Sequence, residues 1–129
     1  MKAENIKFKA KRLDNKEWVK GYFYQECGNA YIIENRQKES KLNRNLTYQV
    51  DPYTVCQFTG LKDDNGKEIW EGDILFRDGK PQIKEEVKFH KGSFCLGHLP
   101  LESLVYYPFD VVQNFVSLGS KFDRKEGEK

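Results

Sequence analysis

Residues 57–75 read QFTGLKDDNGKEIWEGDIL, and this stretch decides the fold class. Its Asn65-Gly66 pair lies between two segments that carry apolar residues. That is the strongest short-range signal of a β-hairpin, because both residues accept positive φ at little cost. Gly72-Asp73 predicts a bend a few residues later. We therefore expect short strands joined by tight turns, with these side chains in the core: Leu61, Ile69, Trp70 and Ile74.

The same succession of short strands and turns extends to both sides of this stretch. Residues 6–11 alternate apolar and basic side chains, and turn-forming residues lead to a returning strand from Trp18 to Tyr24, so a hairpin is predicted over 6–24. Together these signals predict a mainly β fold with a small barrel-like antiparallel core, SH3-like or related. Further strands are predicted at 31–34, 54–58, 85–90, 93–96 and 110–116, a short helix at 99–105, and an exposed loop or marginal helix at 35–45.

Length and composition fit one domain that needs no metal or disulfide. The chain has 129 residues, of which 38% are hydrophobic and 14% aromatic, enough to bury a core. We expect a single domain over 1–120, with 1–50 as a candidate N-terminal sub-region, and a frayed charged tail over 121–129. The cysteines are odd in number and form no C-x-x-C pair, which excludes a disulfide scaffold and a zinc ribbon: Cys27, Cys56 and Cys95.

Charge is distributed unevenly along the chain. Residues 1–25 carry seven basic and three acidic side chains, a net +4, whereas residues 57–79 carry three basic and six acidic ones, a net −3. This opposite bias could steer a partner or self-association. No apolar run is long enough to span a membrane and the sequence opens without a signal-peptide pattern, so we expect a cytoplasmic protein with no membrane partner.

The basic N-terminal segment is the best candidate for a nucleic-acid interface. Basic groups neutralise phosphates and aromatic rings stack on bases, and Tyr22 and Tyr24 lie nearby in the sequence. The alternative is that these lysines lie on an outer strand and only block edge-to-edge aggregation. The candidate binding residues are Lys7, Lys9, Lys11, Arg12, Trp18 and Lys20.

Catalytic chemistry has weaker support in the sequence. A metal-dependent hydrolase could draw on Asp63, Glu71, Asp73 or His90. The acidic residues are better explained by structure, because Asp and Asn side chains bond backbone amides at turns and bends. Two histidines with Cys95 form no complete zinc set, since no second close pair of ligands exists. We therefore predict no catalytic, cofactor-binding or metal-binding residues.

Residues 50–75, VDPYTVCQFTGLKDDNGKEIWEGDIL, resemble the signature of the YopX family of bacteriophage and prophage proteins, approximately T-V-x-Q-[FY]-T-G-L-x-D-x-N-G-x-x-I-[YFW]-E-G-D. The opening IKFKA and NKEWVKGYF segments are similar to the start of the family. Residues 111–115 match its end only in part, with Gln113 in place of Gly. The signature is matched at Thr54, Val55, Gln57, Phe58, Thr59, Gly60, Leu61, Asp63, Asn65, Gly66, Ile69, Trp70, Glu71, Gly72 and Asp73.

The resemblance implies a β-rich fold with a barrel-like core and an origin in a phage or prophage, but no reaction. The leading hypothesis is a non-enzymatic binding or assembly module that self-associates or binds another phage or host protein. The second is nucleic-acid binding through the basic N-terminal strand, and the third is the metal-dependent hydrolase.

Overall fold

A computed structural model describes residues 6–35, 45–97, 99–106 and 111–123. These residues form thirteen β-strands and no α-helix, so the predicted mainly β fold is confirmed. The chain divides into two compact units, residues 1–57 and 58–129. The loop or marginal helix predicted over 35–45 lies, apart from its two end residues, outside the described residues. No helix in the described part of the chain is long and apolar enough to cross a membrane.

Four strands of the first unit follow one another as an antiparallel meander. The hairpin predicted over residues 6–24 is confirmed, with Lys11 opposite Trp18 at its closed end. The fifth strand begins in this unit, where Cys56 and Gln57 pair with the first strand. The strands are β1 (Phe8–Lys11), β2 (Trp18–Glu26), β3 (Asn29–Asn35), β4 (Asn45–Val50) and β5 (Cys56–Lys62).

The end of β4 returns to the segment that follows β1. Two backbone hydrogen bonds, of 2.8 and 3.1 Å, and an antiparallel bridge join residues 49–51 to residues 11–13. A single 3-10 turn, Pro52–Thr54, then leads into β5. Among the described residues these contacts join only the ends of the strands and no closed barrel is found, so the barrel-like core stays a prediction.

The core of the first unit lies on one face of its sheet, because side chains alternate along each strand. Its members are Ala10, Val19, Ala30, Ile32 and Val50. Gly21 allows β2 and β3 to approach closely, since a Cβ at this position would lie 2.0 Å from the carbonyl oxygen of Ile33.

In the second unit the end of β5 pairs antiparallel with β6 (Glu68–Trp70) and parallel with β12 (Val111–Val112). Lys62 lies opposite Glu68, so the predicted Asn65-Gly66 hairpin is confirmed. A second sheet has its strands in the order β10, β9, β8, β7, β13. The remaining strands are β7 (Asp73–Arg77), β8 (Lys80–His90), β9 (Ser93–Leu96), β10 (Leu99–Pro100), β11 (Val105–Tyr106) and β13 (Phe115–Ser120).

The core of the second unit confirms most of the predicted inward residues and corrects one. Ile69 and Trp70 are buried, and Leu61 packs against the core. Ile74 is only half-buried and Leu75 is buried in its place, because the bend before Asp73 sets the strand one residue out of the expected phase. The core consists of Ile69, Leu75, Val87, Leu96, Leu101 and Val112.

Three predicted segments differ in detail. The short helix expected over 99–105 is a 3-10 turn at Leu101–Leu104. The strand expected over 110–116 is broken into β12 and β13, because Asn114 adopts a φ of 67° in the turn between them. The tail predicted to fray from Lys121 instead forms a 3-10 turn at Lys121–Asp123, whose first amide bonds the carbonyl oxygen of Gly72 at 2.9 Å; residues 124–129 lie outside the described residues.

Candidate functional site

The register of the first hairpin brings basic and aromatic side chains to one face of the first unit. Ala10 of β1 and Val19 of β2 are paired and buried in the core. Their neighbours in each strand project from the opposite, outer face, because side chains alternate. Lys7 lies just before β1 in phase with these outward residues. Two cross-strand pairs lie on this face, Lys9 with Lys20 and Lys11 with Trp18.

The indole ring of Trp18 is contacted by two ammonium groups. Lys9 Nζ lies 4.5 Å from the ring centroid and Lys11 Nζ lies 5.4 Å from it. Each such contact stabilises by about 0.5–1 kcal/mol at an exposed site, while two like charges near one ring repel each other. Positive charge and an aromatic ring therefore lie together on this face.

Three tyrosines continue the same face along β2 and β3. Tyr22 is 55% exposed, and Tyr24 stacks on its cross-strand partner Tyr31 with ring centroids 4.9 Å apart and planes 17° apart. Tyr31 escaped the sequence prediction, although its alternation with the buried Ile32 could have placed it on the outer face. We call this surface the basic-aromatic face: Lys7, Lys9, Lys11, Trp18, Lys20, Tyr22, Tyr24 and Tyr31.

Protection of a sheet edge does not explain these lysines. β1 pairs with β2 on one side, and on the other side Phe8 and Lys9 pair with the first two residues of β5. The backbone amide of Lys11 donates a hydrogen bond to the Thr54 hydroxyl at 2.9 Å. Because β1 is hydrogen-bonded along both sides, it is not an edge strand, and its lysines are not needed there to prevent edge-to-edge aggregation.

Arg12, one of the predicted binding residues, does not join the others. It forms a bridge with the buried Val50, and its guanidinium lies 4.3 Å from the ring centroid of Tyr48, which packs against the core. It also forms a salt bridge with Asp14. The hydrogen bond from Arg12 lowers the pKa of Asp14. The charge of Arg12 is therefore engaged within the fold.

In the second unit the densest part of the acidic stretch is a hydrogen-bonded turn built around Asp63. This side chain is 1% exposed. Its Oδ1 accepts hydrogen bonds from the amides of Asn65 and Lys67 at 2.9 and 2.8 Å, and its Oδ2 accepts one from the amide of Ser117 at 2.9 Å. One carboxylate thus organises the hairpin turn and attaches it to β13.

Asp73 performs a related role at the next bend. It is 2% exposed, and its Oδ2 accepts a hydrogen bond from the amide of Trp70 at 2.9 Å. Trp70 in turn packs against Phe58 with ring centroids 5.1 Å apart. The two aspartates of the signature hold backbone in place, as the turn-forming chemistry of Asp predicts.

The model of the YopX protein family matches residues 7–120 of the chain. The chain belongs to the YopX family. A comparison with curated proteins gave no match. The region shared with YopX begins at Lys7 and ends with β13, so both the basic-aromatic face and the turn built around Asp63 lie within it.

The residues predicted for a hydrolase form no metal centre in this YopX protein. Within the described ranges no group of three or more His, Cys, Asp or Glu side chains is arranged to hold a metal ion. His90 is exposed opposite Ser93 in the hairpin of β8 and β9, and His98 lies outside the described residues. The geometry gives the hydrolase hypothesis no support.

Proposed function

We propose that this YopX protein is a non-enzymatic binding module of bacteriophage or prophage origin, acting in the cytoplasm of its bacterial host, and that it binds single-stranded nucleic acid on the basic-aromatic face. The observation that carries the proposal is the placement of Lys9 and Lys11 over the ring of Trp18, beside Lys20. Ammonium groups bind phosphates and aromatic rings stack on bases, so the two chemistries needed for such a ligand lie together.

A single strand suits this surface better than a duplex does. Stacking on Trp18 and Tyr22 requires bases that are not already stacked in a helix, and these two residues, four apart on β2, are spaced by about 14 Å along the strand. The described residues contain no α-helix that could enter a major groove. The aromatic rings of this surface tolerate any base, so we expect weak sequence preference.

The test measures the fluorescence anisotropy of labelled oligothymidylate as the protein is added, at several salt concentrations. A labelled duplex is titrated for comparison. In the triple variant Lys9→Gln, Lys11→Gln, Lys20→Gln, affinity should fall and the salt dependence of log K should flatten by about 2, since each lost phosphate contact on a single strand contributes about 0.7. A matched triple variant on the exposed lysines of β8, Lys80→Gln, Lys84→Gln, Lys88→Gln, should retain the wild-type slope.

Absence of binding to the oligothymidylate, or equal losses in the two triple variants, would contradict the proposal. Equal losses would mean that net charge alone attracts the nucleic acid. Tighter binding of the duplex than of the single strand would overturn the stacking argument.

We also propose self-association as the second candidate function. The charge difference between residues 1–25 and residues 57–79 that would drive it is smaller at the surface than in the sequence. Asp63 and Asp73 are buried on backbone amides. Of the six acidic side chains in residues 57–79, four therefore remain to balance three basic ones at the surface. Light scattering at low and high salt tests this proposal: a salt-sensitive dimer supports it, and a monomer at every concentration excludes it.

We further propose that β1 to β4 form a barrel-like core. The contacts between residues 11–13 and residues 49–51 support it, because they bring the last strand of the meander back to the first. Hydrogen exchange tests it: the amides of Leu13 and Asp51 should be as well protected as amides in the middle of β2, and rapid exchange at both would contradict closure.

A further inference from the structure

The second unit contains a groove that is separate from every residue discussed above as a binding site. It encloses about 310 Å³, near the lower end for small-molecule sites. One wall comes from the 3-10 turn Leu101–Leu104 and the start of β11, and the other from the turn between β12 and β13. The groove therefore has room for one amino-acid side chain and its backbone rather than for a nucleotide cofactor.

Backbone hydrogen bonds hold both walls in place. The amide of Gln113 donates to the carbonyl oxygen of Leu104 at 3.1 Å, and the amide of Asp78 donates to the carbonyl oxygen of Asn114 at 2.7 Å. Arg77 is itself fixed by its ladder pairing with Phe115. The groove is thus formed before any ligand arrives, which lowers the entropic cost of binding.

The lining combines an apolar surface with one cation. Arg77 supplies the only charge among the described lining residues, and it forms no salt bridge within the part of the chain that the structure describes. The polar lining residues are Ser103, Gln113 and Asn114. The apolar lining is Leu99, Leu104, Val105 and Phe115, of which Leu99 is 52% exposed.

We propose that this groove binds the C-terminal residue of a partner polypeptide, with an apolar side chain against Leu104 and Phe115 and its free carboxylate on Arg77. The planar guanidinium fork matches a carboxylate with two parallel hydrogen bonds. Charge complementarity selects the carboxylate, and the apolar wall selects the side chain. The groove lies entirely in the second unit, so this inference does not depend on nucleic-acid binding by the first.

The experiment compares ligands on the full chain by NMR titration. N-acetyl-L-leucine should give saturable shifts at Leu104, Val105 and Asn114, and N-acetyl-L-leucinamide should bind about tenfold more weakly, the loss expected when a charge-assisted hydrogen bond is removed. A short peptide ending in leucine should bind more tightly than N-acetyl-L-leucine, since neighbouring residues add contacts. Arg77→Gln should reduce binding of the acid to that of the amide, while Lys84→Gln should leave it unchanged.

Each other outcome overturns part or all of the proposal. Equal affinity for acid and amide would show that the carboxylate is not recognised. If acetate binds as tightly as N-acetyl-L-leucine, the apolar wall plays no part in binding. Equal affinity for the peptide and N-acetyl-L-leucine would exclude a polypeptide as the ligand. If Arg77→Gln lowers stability, Arg77→Lys provides the second test: it keeps the charge but not the fork, and should bind the acid with intermediate affinity.

Discussion

Oδ2 of Asp63 accepts a hydrogen bond from the backbone amide of Ser117 at 2.9 Å, linking residues 54 positions apart. The other oxygen of the same carboxylate holds the hairpin turn of residues 63–67. A single buried side chain therefore determines the shape of a local turn and the position of a distant strand. This relationship gives the aspartate at this point of the YopX signature a structural role.

Asp63→Ala should destabilise the second unit by about 2–3 kcal/mol, because it leaves the buried amide of Ser117 and the partly buried amides of Asn65 and Lys67 without their acceptor, and an unsatisfied buried donor costs about 1–3 kcal/mol. Urea denaturation measures the change. The neighbouring Asp64 is exposed, so Asp64→Ala should change stability by no more than about 0.5 kcal/mol. Similar losses in the two variants would show that the carboxylate of Asp63 has no special role.

Gly21→Ala should destabilise the first unit, because its Cβ would lie 2.0 Å from the carbonyl oxygen of Ile33. Backbone must shift to relieve that contact, and overpacking of this kind costs about 1–3 kcal/mol. Gln25→Ala is the control, since Gln25 is exposed on the same strand. A melting temperature for Gly21→Ala equal to that of Gln25→Ala would mean that β2 and β3 separate at little cost.

Trp18→Leu should weaken binding of oligothymidylate by about tenfold, since stacking on one base is worth about 1–3 kcal/mol. Trp18 also provides a direct signal. The other tryptophan, Trp70, is 3% exposed, so quenching of intrinsic fluorescence by the oligonucleotide should come from Trp18 and be lost in Trp18→Phe. Quenching that persists in Trp18→Phe would place the ligand elsewhere.

Arg12→Gln and Lys20→Gln each remove one positive charge from the same hairpin, but only Lys20 belongs to the basic-aromatic face. Lys20→Gln should therefore flatten the salt dependence of log K by about 0.7. Arg12→Gln should leave it unchanged, because Arg12 is bound to Asp14 and packs over Tyr48. Equal effects of the two substitutions would mean that the ligand responds to overall charge rather than to this face.

The fold could be predicted in outline because its signals are local. Asn65-Gly66 requires a tight turn, and the alternation of residues 6–11 shows which side chains face outward. The sequence pattern puts Ile74 in the core position that Leu75 occupies, one residue away. The phase of β7 depends on the bend before it, and that bend depends on the hydrogen bond from the amide of Trp70 to Asp73. The break at Gln113-Asn114 was missed for a similar reason, since Asn114 there adopts positive φ within an otherwise strand-like sequence.

The candidate site was predicted in part. Lys9, Lys11, Trp18 and Lys20 share a face because one hairpin contains all of them, and alternation within a hairpin can be deduced from sequence. Arg12 is close to these residues in sequence, but a backbone β-bridge to Val50 separates it from their face. Alternation with Ile32 could place Tyr31 outward, but its position opposite Tyr24 and the groove beside Arg77 could not be deduced in this way, because both depend on the pairing of separate strands.

The most direct test of the central proposal is an NMR titration of the full chain with oligothymidylate. The largest shifts should occur at the amides of Lys9, Lys11 and Lys20, at the indole NH of Trp18 and at Tyr22, and raising the salt concentration should reverse them. Binding that shifts other residues while these remain unchanged, or no shift at low salt, would contradict the proposal.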